Sequence, residues 1–256
     1  ELTATIDPKE YTDIDALALA IKAAMKAVSA NDYAVSYDST NSKFIIRADG
    51  TNLNELNELH LLWGTGKNAN AGTSAAATLG FNKADDIVTF PISDNQVTLI
   101  TIDNTNNKID FEEVSAGVNS GELTATIAGG DYTDLVALES AIETAMEART
   151  LYDIDYAVSY NSTTGKFTIE EDGGAPVLTE LQLLWKSGTN KGSNAAVTIG
   201  FNDSVDETGV TSYAGDNKVV LITIDDTNNK LDFSEVNAAG LNSSELTATI
   251  AGGDYT

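Results

Sequence analysis

At the start of the chain Leu2, Ala4 and Ile6 alternate with Glu1, Thr3 and Thr5, the period-two pattern of a strand with one buried face. Past a short turn, Thr12 and Asp13 offer oxygens to cap helical amides, and Leu17, Ile21, Met25 and Val28 follow at helical spacing. Tyr33 to Tyr37 and Lys43 to Arg47 then read as two strands joined through polar Asp38 to Ser42. Leu59 to Trp63 reads as a further strand, and Gly80 and Phe81 close the apolar sequence. Finally Val97 to Ile102 and Ile109 to Val114 flank Asn106 and Asn107, which predicts a hairpin with a two-residue turn.

The whole pattern then recurs. ELTATIDPKEYT at Glu1 returns as ELTATIAGGDYT at Glu122, and that version returns letter for letter at Glu245. DYAVSYDSTNSKFII at Asp32 answers DYAVSYNSTTGKFTI at Asp155, where Gly165 sits in the turn and eases a positive φ. ELHLLWGTG at Glu58 answers ELQLLWKSG at Glu180, TLGFN at Thr78 answers TIGFN at Thr198, and LITIDNTNNKIDFEEV at Leu99 answers LITIDDTNNKLDFSEV at Leu221. A period of about 120 residues is domain-sized rather than that of a solenoid. Residues 1–121 and 122–244 are two sequence repeats, and 245–256 begin a third. The expected fold class is α+β, with tandem β-rich domains, each an antiparallel sheet packed on one α-helix.

The physical domain need not share the phase of the repeat. Asn82 to Asn95 and Asn202 to Asn217 are the least patterned stretches, with Pro91 and several Asp residues, so the chain is expected to cross between globules there. On that phase a complete globule spans about 94–215, and 1–93 and 216–256 are partial units that complement each other. Neighbouring copies would then complete a cut unit by strand addition, in a head-to-tail array.

Charge narrows the function classes. With 39 Asp and Glu against 14 Lys and Arg, the formal charge is -25, which repels phosphate backbones and anionic membrane surfaces, so no nucleic acid is expected as a partner. Every apolar run is far shorter than the roughly 20 residues a membrane helix needs, so no membrane insertion is expected either. There is no Cys, which removes thiol catalysis, Cys-based zinc sites and disulfides together. The chain opens at Glu1 on a strand pattern with no initiator Met, and reads as a piece of something longer.

Few side chains invite catalysis. His60 is the single His, and aligning Trp63 with Trp185 puts Gln182 opposite it, so the second repeat lacks it. AGGD at Ala128 to Asp131 is replaced by DPKE in the first repeat, so it reads as a turn rather than a phosphate cradle. No catalytic residue is expected. Trp63 with Trp185, Tyr37 with Tyr160 and Phe81 with Phe201 recur, and these could pack a core or form a platform for glycans.

The sharper chemical signal is acidic. In the predicted hairpin Asp103 faces Asp110, and Asp103, Asp110 and Glu112 share one face; Asp225 and Asp232 repeat the arrangement. Opposed like charges destabilise a sheet by about 0.2–1 kcal/mol when exposed, and a bridging Ca²⁺ would turn that repulsion into attraction. The plainer alternative is a polar hairpin face with Asp near a turn. DNTNNKIDFEEV is not an EF-hand loop, since Lys108 stands where Gly is needed and Val114 where the last carboxylate is needed.

ELTATIAGGDYTDLVALESAIETAM followed by YAVSYNSTTGKFTI, with LLW and GF beyond, resembles repeats inserted in bacterial flagellins, flagellar hook-associated proteins and related secreted appendage proteins. The likeness covers Glu122 to Phe201 and Glu1 to Phe81. It implies a bacterial outer-surface domain, or an array of them, with no catalytic residues to carry over. The expected function is thus a structural, non-enzymatic, extracellular or cell-surface module that assembles with copies of itself head-to-tail into a filament, with Ca²⁺ as the one cofactor in view. The alternative is an adhesin repeat that binds glycans or partner surfaces.

Overall fold

The computed structural model describes residues 1–49, 56–69, 71–88, 93, 97, 99–173 and 177–237. Among the described residues the chain is mostly β-structure, with two helices. In order come β1 (Leu2–Thr5), β2 (Lys9–Tyr11), α1 (Ile14–Val28), β3 (Tyr33–Asp38), β4 (Lys43–Ala48), β5 (Leu56–Leu61) and β6 (Ile87–Val88). Next are β7 (Ile100–Ile102), β8 (Lys108–Ser115), β9 (Val118–Asn119), β10 (Leu123–Thr126), β11 (Gly130–Tyr132), α2 (Leu135–Glu147), β12 (Tyr156–Asn161) and β13 (Lys166–Glu171). The last are β14 (Glu180–Leu183), β15 (Glu207–Val210), β16 (Ser212–Ala214), β17 (Ile222–Ile224) and β18 (Lys230–Asn237). No helix among the described residues is long and apolar enough to cross a membrane.

The contacts divide the chain into two compact units. Unit 1 comprises Glu1–Val97 with Ile222–Thr256, and unit 2 is Thr98–Leu221. The two outer segments of the sequence therefore belong to one unit, and they complete each other within a single chain. In unit 1 the main sheet runs β1-β18-β5-β6, all antiparallel, with Leu2 opposite Phe233 and Thr5 opposite Lys230. In unit 2 it runs β10-β8-β14-β15, with Leu123 opposite Phe111 and Thr126 opposite Lys108.

Each helix forms where the pattern predicts. Asp13 caps α1 by accepting from Asp15 N at 2.8 Å, and Asp134 caps α2 by accepting from Val136 N at 2.9 Å, contacts worth about 1 kcal/mol each. Leu17, Ile21 and Met25 face the core of unit 1, as Leu138, Ile142 and Met146 face that of unit 2. Val28, the last member of the predicted stripe, is exposed because the helix ends there. α1 packs on β1 and β3, and α2 on β10 and β12. On α2 the carboxylates of Glu143 and Glu147 accept from Val158 N and Tyr156 N at 3.2 and 3.3 Å, and Glu139 accepts from Tyr160 N. These three residues, four apart on one helix face, cover the outer amides of edge strand β12.

The predicted hairpin across Asn106 and Asn107 does not form. β7 pairs with β11, and β8 pairs with β10 and β14, so residues 100–102 and 108–111 run in the same direction along 130–132 and 123–126 in two successive ladders, with an excursion between them. The excursion is closed by its own side chains: Asp103 N donates to Asn106 Oδ1 at 2.8 Å, and Asn106 Nδ2 to Thr101 O at 2.9 Å. Asp225 N and Asn228 reproduce it at 2.7 and 3.0 Å. Asn-rich sequence signals a turn, but an Asx turn satisfies it without reversing the strand. The true hairpin is β8 to β9, where Ala116 and Gly117 have φ of 51° and 78° and Ser115 faces Val118, the two positive-φ residues of a type I′ turn.

Candidate functional site

The acidic positions that suggested a cation lie in different surroundings. Asp103 and Asp225 are exposed, and each accepts from the backbone N and hydroxyl of the Thr two residues on, Thr105 and Thr227, at 2.7 and 2.6 Å. Those bonds, the hydroxyl's above all, hold both carboxyls below the usual Asp range. Asp110 and Asp232 are buried instead, at 1% and 2% exposure. Glu112 is half-buried on β8, opposite Gln182, and accepts from Asn119 Nδ2 at 2.7 Å. Asp103 is thus not the cross-strand partner of Asp110, and the opposed pair that favoured a Ca²⁺ ion is not built. Among the described residues no group of three or more His, Asp or Glu side chains is placed to hold a metal.

Asp110 and Asp232 bind amides and hydroxyls. Asp110 accepts from Thr124 Oγ1 on β10 at 2.8 Å, and from Asn190 N and Nδ2 at 2.5 and 2.8 Å. Asp232 accepts from Thr3 Oγ1 on β1 at 2.6 Å, and from Asn68 N and Nδ2 at 2.5 and 2.8 Å. A carboxylate has about four lone-pair sites, so amide and hydroxyl donors take three of them in each unit and one remains. Gly188 and Gly66 permit the approach, because a Cβ at either would lie 2.6 Å from the Cβ of its Asp. The carboxylate therefore clamps a central strand to an outer strand and to the loop after LLW.

A second buried carboxylate lies on the core face of the same strands. Glu113, fully buried, accepts from Tyr156 Oη at 2.8 Å and from Leu151 N and Tyr152 N at 2.9 and 3.3 Å. Glu235 accepts from Tyr33 Oη, from Ser29 Oγ at 2.6 Å and from Asn31 Nδ2 at 3.0 Å. Burial, and then the neighbouring carboxylate, push both tyrosines well above the ordinary phenol range. The phenol is thereby kept as a donor. Asp206 accepts from Lys186 N and Ser187 N at 2.7 and 3.0 Å, and Asp86 from Gly64 N and Thr65 N at 2.8 and 3.1 Å. These four carboxylates escape periodicity arguments, but each recurs at the matching place of the other repeat, which is the signal that finds them.

The remaining suspects have structural places. His60 is on β5 opposite Ser234, and its Nε2 lies 2.7 Å from Glu58 Oε2. Trp63 and Trp185 are buried, tilted against Phe81 and Phe201 at centroid distances of 5.2 and 5.4 Å. They are core, not a glycan platform; Tyr37 and Tyr160, half-buried, pack edgewise or tilted on Phe44 and Phe167 at 5.3 and 5.1 Å. No protein-family model matches the chain, and no curated protein matches it either.

Proposed function

We propose that this chain is a structural, non-enzymatic module made of tandem copies of one α+β domain, which assembles head-to-tail with copies of itself into an extracellular or cell-surface filament. The observation that carries this reading is the pairing of β1 with β18. A strand from the start of the chain occupies, beside β18, the place and register that β10 occupies beside β8. The contacts that hold it are the same whether the strand arrives from the same chain or from another, so closure on itself and linkage to a neighbour differ mainly in effective concentration.

The groups that recur in both units also favour this role. Asp110 and Asp232 clamp strands, and Glu113 and Glu235 anchor tyrosines, so the repeated polar chemistry is spent on cohesion. The net charge of -25 keeps such a β-rich surface soluble at high local density, where cations would screen the repulsion between copies. The resemblance to flagellar and appendage repeats supports the extracellular setting.

Negative-stain electron microscopy of the chain refolded at high concentration tests the proposal. Linear particles with an axial repeat of one or two domain lengths are expected. Discrete monomers at every concentration would contradict it.

A further inference from the structure

The chain carries the strand sequence ELTATI three times, at Glu1, Glu122 and Glu245, and the structure shows two places where it is seated. The unit 2 seat is made by β7 and β8 and is filled by the copy that follows at once, β10 and β11. The unit 1 seat, made by β17 and β18, is filled by β1 and β2 from the far end of the sequence.

Glu245–Thr256 matches Glu122–Thr133 in every letter, so each contact made in the unit 2 seat has a counterpart available in the unit 1 seat. Thr124 Oγ1 donates to Asp110, as Thr3 does to Asp232; Thr247 is the matching residue. Lys108 Nζ reaches Thr126 Oγ1 at 2.8 Å, as Lys230 Nζ reaches Thr5 Oγ1 at 2.9 Å; Thr249 matches both. Ala125 and Ile127 are fully buried, as are Ala4 and Ile6, and Ala248 and Ile250 are the same residues again.

The second half of the seat separates the two occupants only slightly. Thr101 Oγ1 donates to Asp131 at 2.6 Å, and Asp254 offers the same carboxylate to Thr223, where the resident strand places Glu10. The resident in turn holds Lys9 Nζ 4.8 Å above the Tyr11 ring. These differences are small beside the shared ladder. Reach is also sufficient: residues 116–122 join β8 to β10, and residues 238–245 separate β18 from Leu246, a connection of similar length.

We propose that the β17–β18 seat is an exchangeable strand-binding site whose second occupant is the same chain's Glu245–Thr256, which replaces Glu1–Tyr11 and releases the N-terminal strand from the sheet. The exchange takes place within one chain and stands whether or not copies assemble.

The absence of Cys makes the exchange directly readable by cross-linking. In the full chain, T5C/K230C reports the resident strand and T249C/K230C its replacement, with T249C/K43C as a control for random encounter. Each is treated with a short bismaleimide, and the monomer band is mapped by mass spectrometry. Intrachain T249C/K230C product well above the control is expected. A yield no greater than the control overturns the proposal, and so does a product that forms only between chains when T249C and K230C single variants are mixed.

Hydrogen exchange on the unaltered chain gives a second readout that needs no cysteines. Ile6 N and Ile127 N donate at the same 2.9 Å to Asn229 O and Asn107 O. Exchange at Ile6 about tenfold faster or more than at Ile127 is expected. Replacing both Thr247 and Thr249 by Pro, which bars that segment from a ladder, should slow Ile6 again. Equal protection of the two amides, or an Ile6 rate indifferent to the prolines, overturns the proposal.

Discussion

Thr3 Oγ1 donates a 2.6 Å hydrogen bond to the buried carboxylate of Asp232, joining residues 229 apart in sequence, while its counterpart from Thr124 to Asp110 spans only 14. One short side-chain contact thus seats a strand irrespective of the route by which the chain brings it there. Asp232→Ala removes the acceptor for Thr3 and for both Asn68 donors and leaves them half-buried without it. A loss of about 3 kcal/mol from unit 1 is expected in chemical denaturation, together with faster proteolysis near β1. Asp110→Ala should do the same to unit 2.

Tyr156→Phe deletes one of three donors to a carboxylate that is fully buried. A loss of about 1.5–3 kcal/mol is expected, the range for hydrogen bonds to charged groups. Phe111, whose ring meets Tyr156 edge-on at 6.0 Å, keeps its packing in this variant, so the measured loss reports the hydroxyl. Tyr33→Phe should act likewise through Glu235.

Two turns allow substitutions of opposite sign. Ala116 and Gly117 both have positive φ in the β8–β9 turn, and Asn-Gly is the sequence that such a turn favours. Ala116→Asn should stabilise unit 2 by about 0.5–1 kcal/mol. Gly165 has φ of 74°, and a Cβ there would meet Lys218 Cγ at 2.9 Å, so Gly165→Ala should destabilise by about 1 kcal/mol or more. Thermal melts of the two variants check both signs.

The pH dependence follows from carboxyls displaced in both directions. At Asp86 and Asp206 burial opposes the charge, but hydroxyl and amide donors from Thr65 with Gly64, and from Ser187 with Lys186, outweigh it and hold both below the ordinary range. Groups lowered on folding contribute stability above their unfolded value, about 3.9 for Asp, and lose it as pH falls through the lower folded value. Glu139 is raised, by burial first and then by Asp134 and Glu143, so its contribution is present when it is protonated and is lost as pH rises through its folded value. The melting temperature should therefore fall below about pH 4. Asp206→Asn should flatten that acid limb, whereas Glu139→Gln, which keeps a carbonyl for Tyr160 N, should raise the melting temperature at neutral pH.

Periodicity located the helices because Leu17, Ile21 and Met25 must share one face, and it placed Tyr33 and Phe44 on strands for the same reason. It misread TIDNTNNK, since Asn106 spends its amide on an Asx turn that no pattern of apolar residues records. Asp110 looked like a surface acid because alternation put it on the face opposite Phe111. Its burial depends on Asn190 and Gly188, brought over it by a loop far away in sequence. Glu113 escapes alternation for the complementary reason: an acid in a core position makes sense only where Tyr156 and the amides after α2 meet it. Comparison between repeats is the stronger guide, because Asp110 and Asp232 keep residue type and their Thr and Asn partners, and Glu113 and Glu235 keep residue type and their Tyr partner.

The central claim is that a strand seat of this chain links one copy to the next. Sedimentation velocity of an equimolar mixture of T5C and K230C single variants, unfolded together, refolded at high concentration and cross-linked, tests it most directly. Thr5 and Lys230 face each other across β1 and β18, so strand linkage between copies predicts covalent dimers joined through these two residues, alongside higher linear species before cross-linking. Monomers alone, with no Thr5–Lys230 linkage between chains at any concentration, would contradict it.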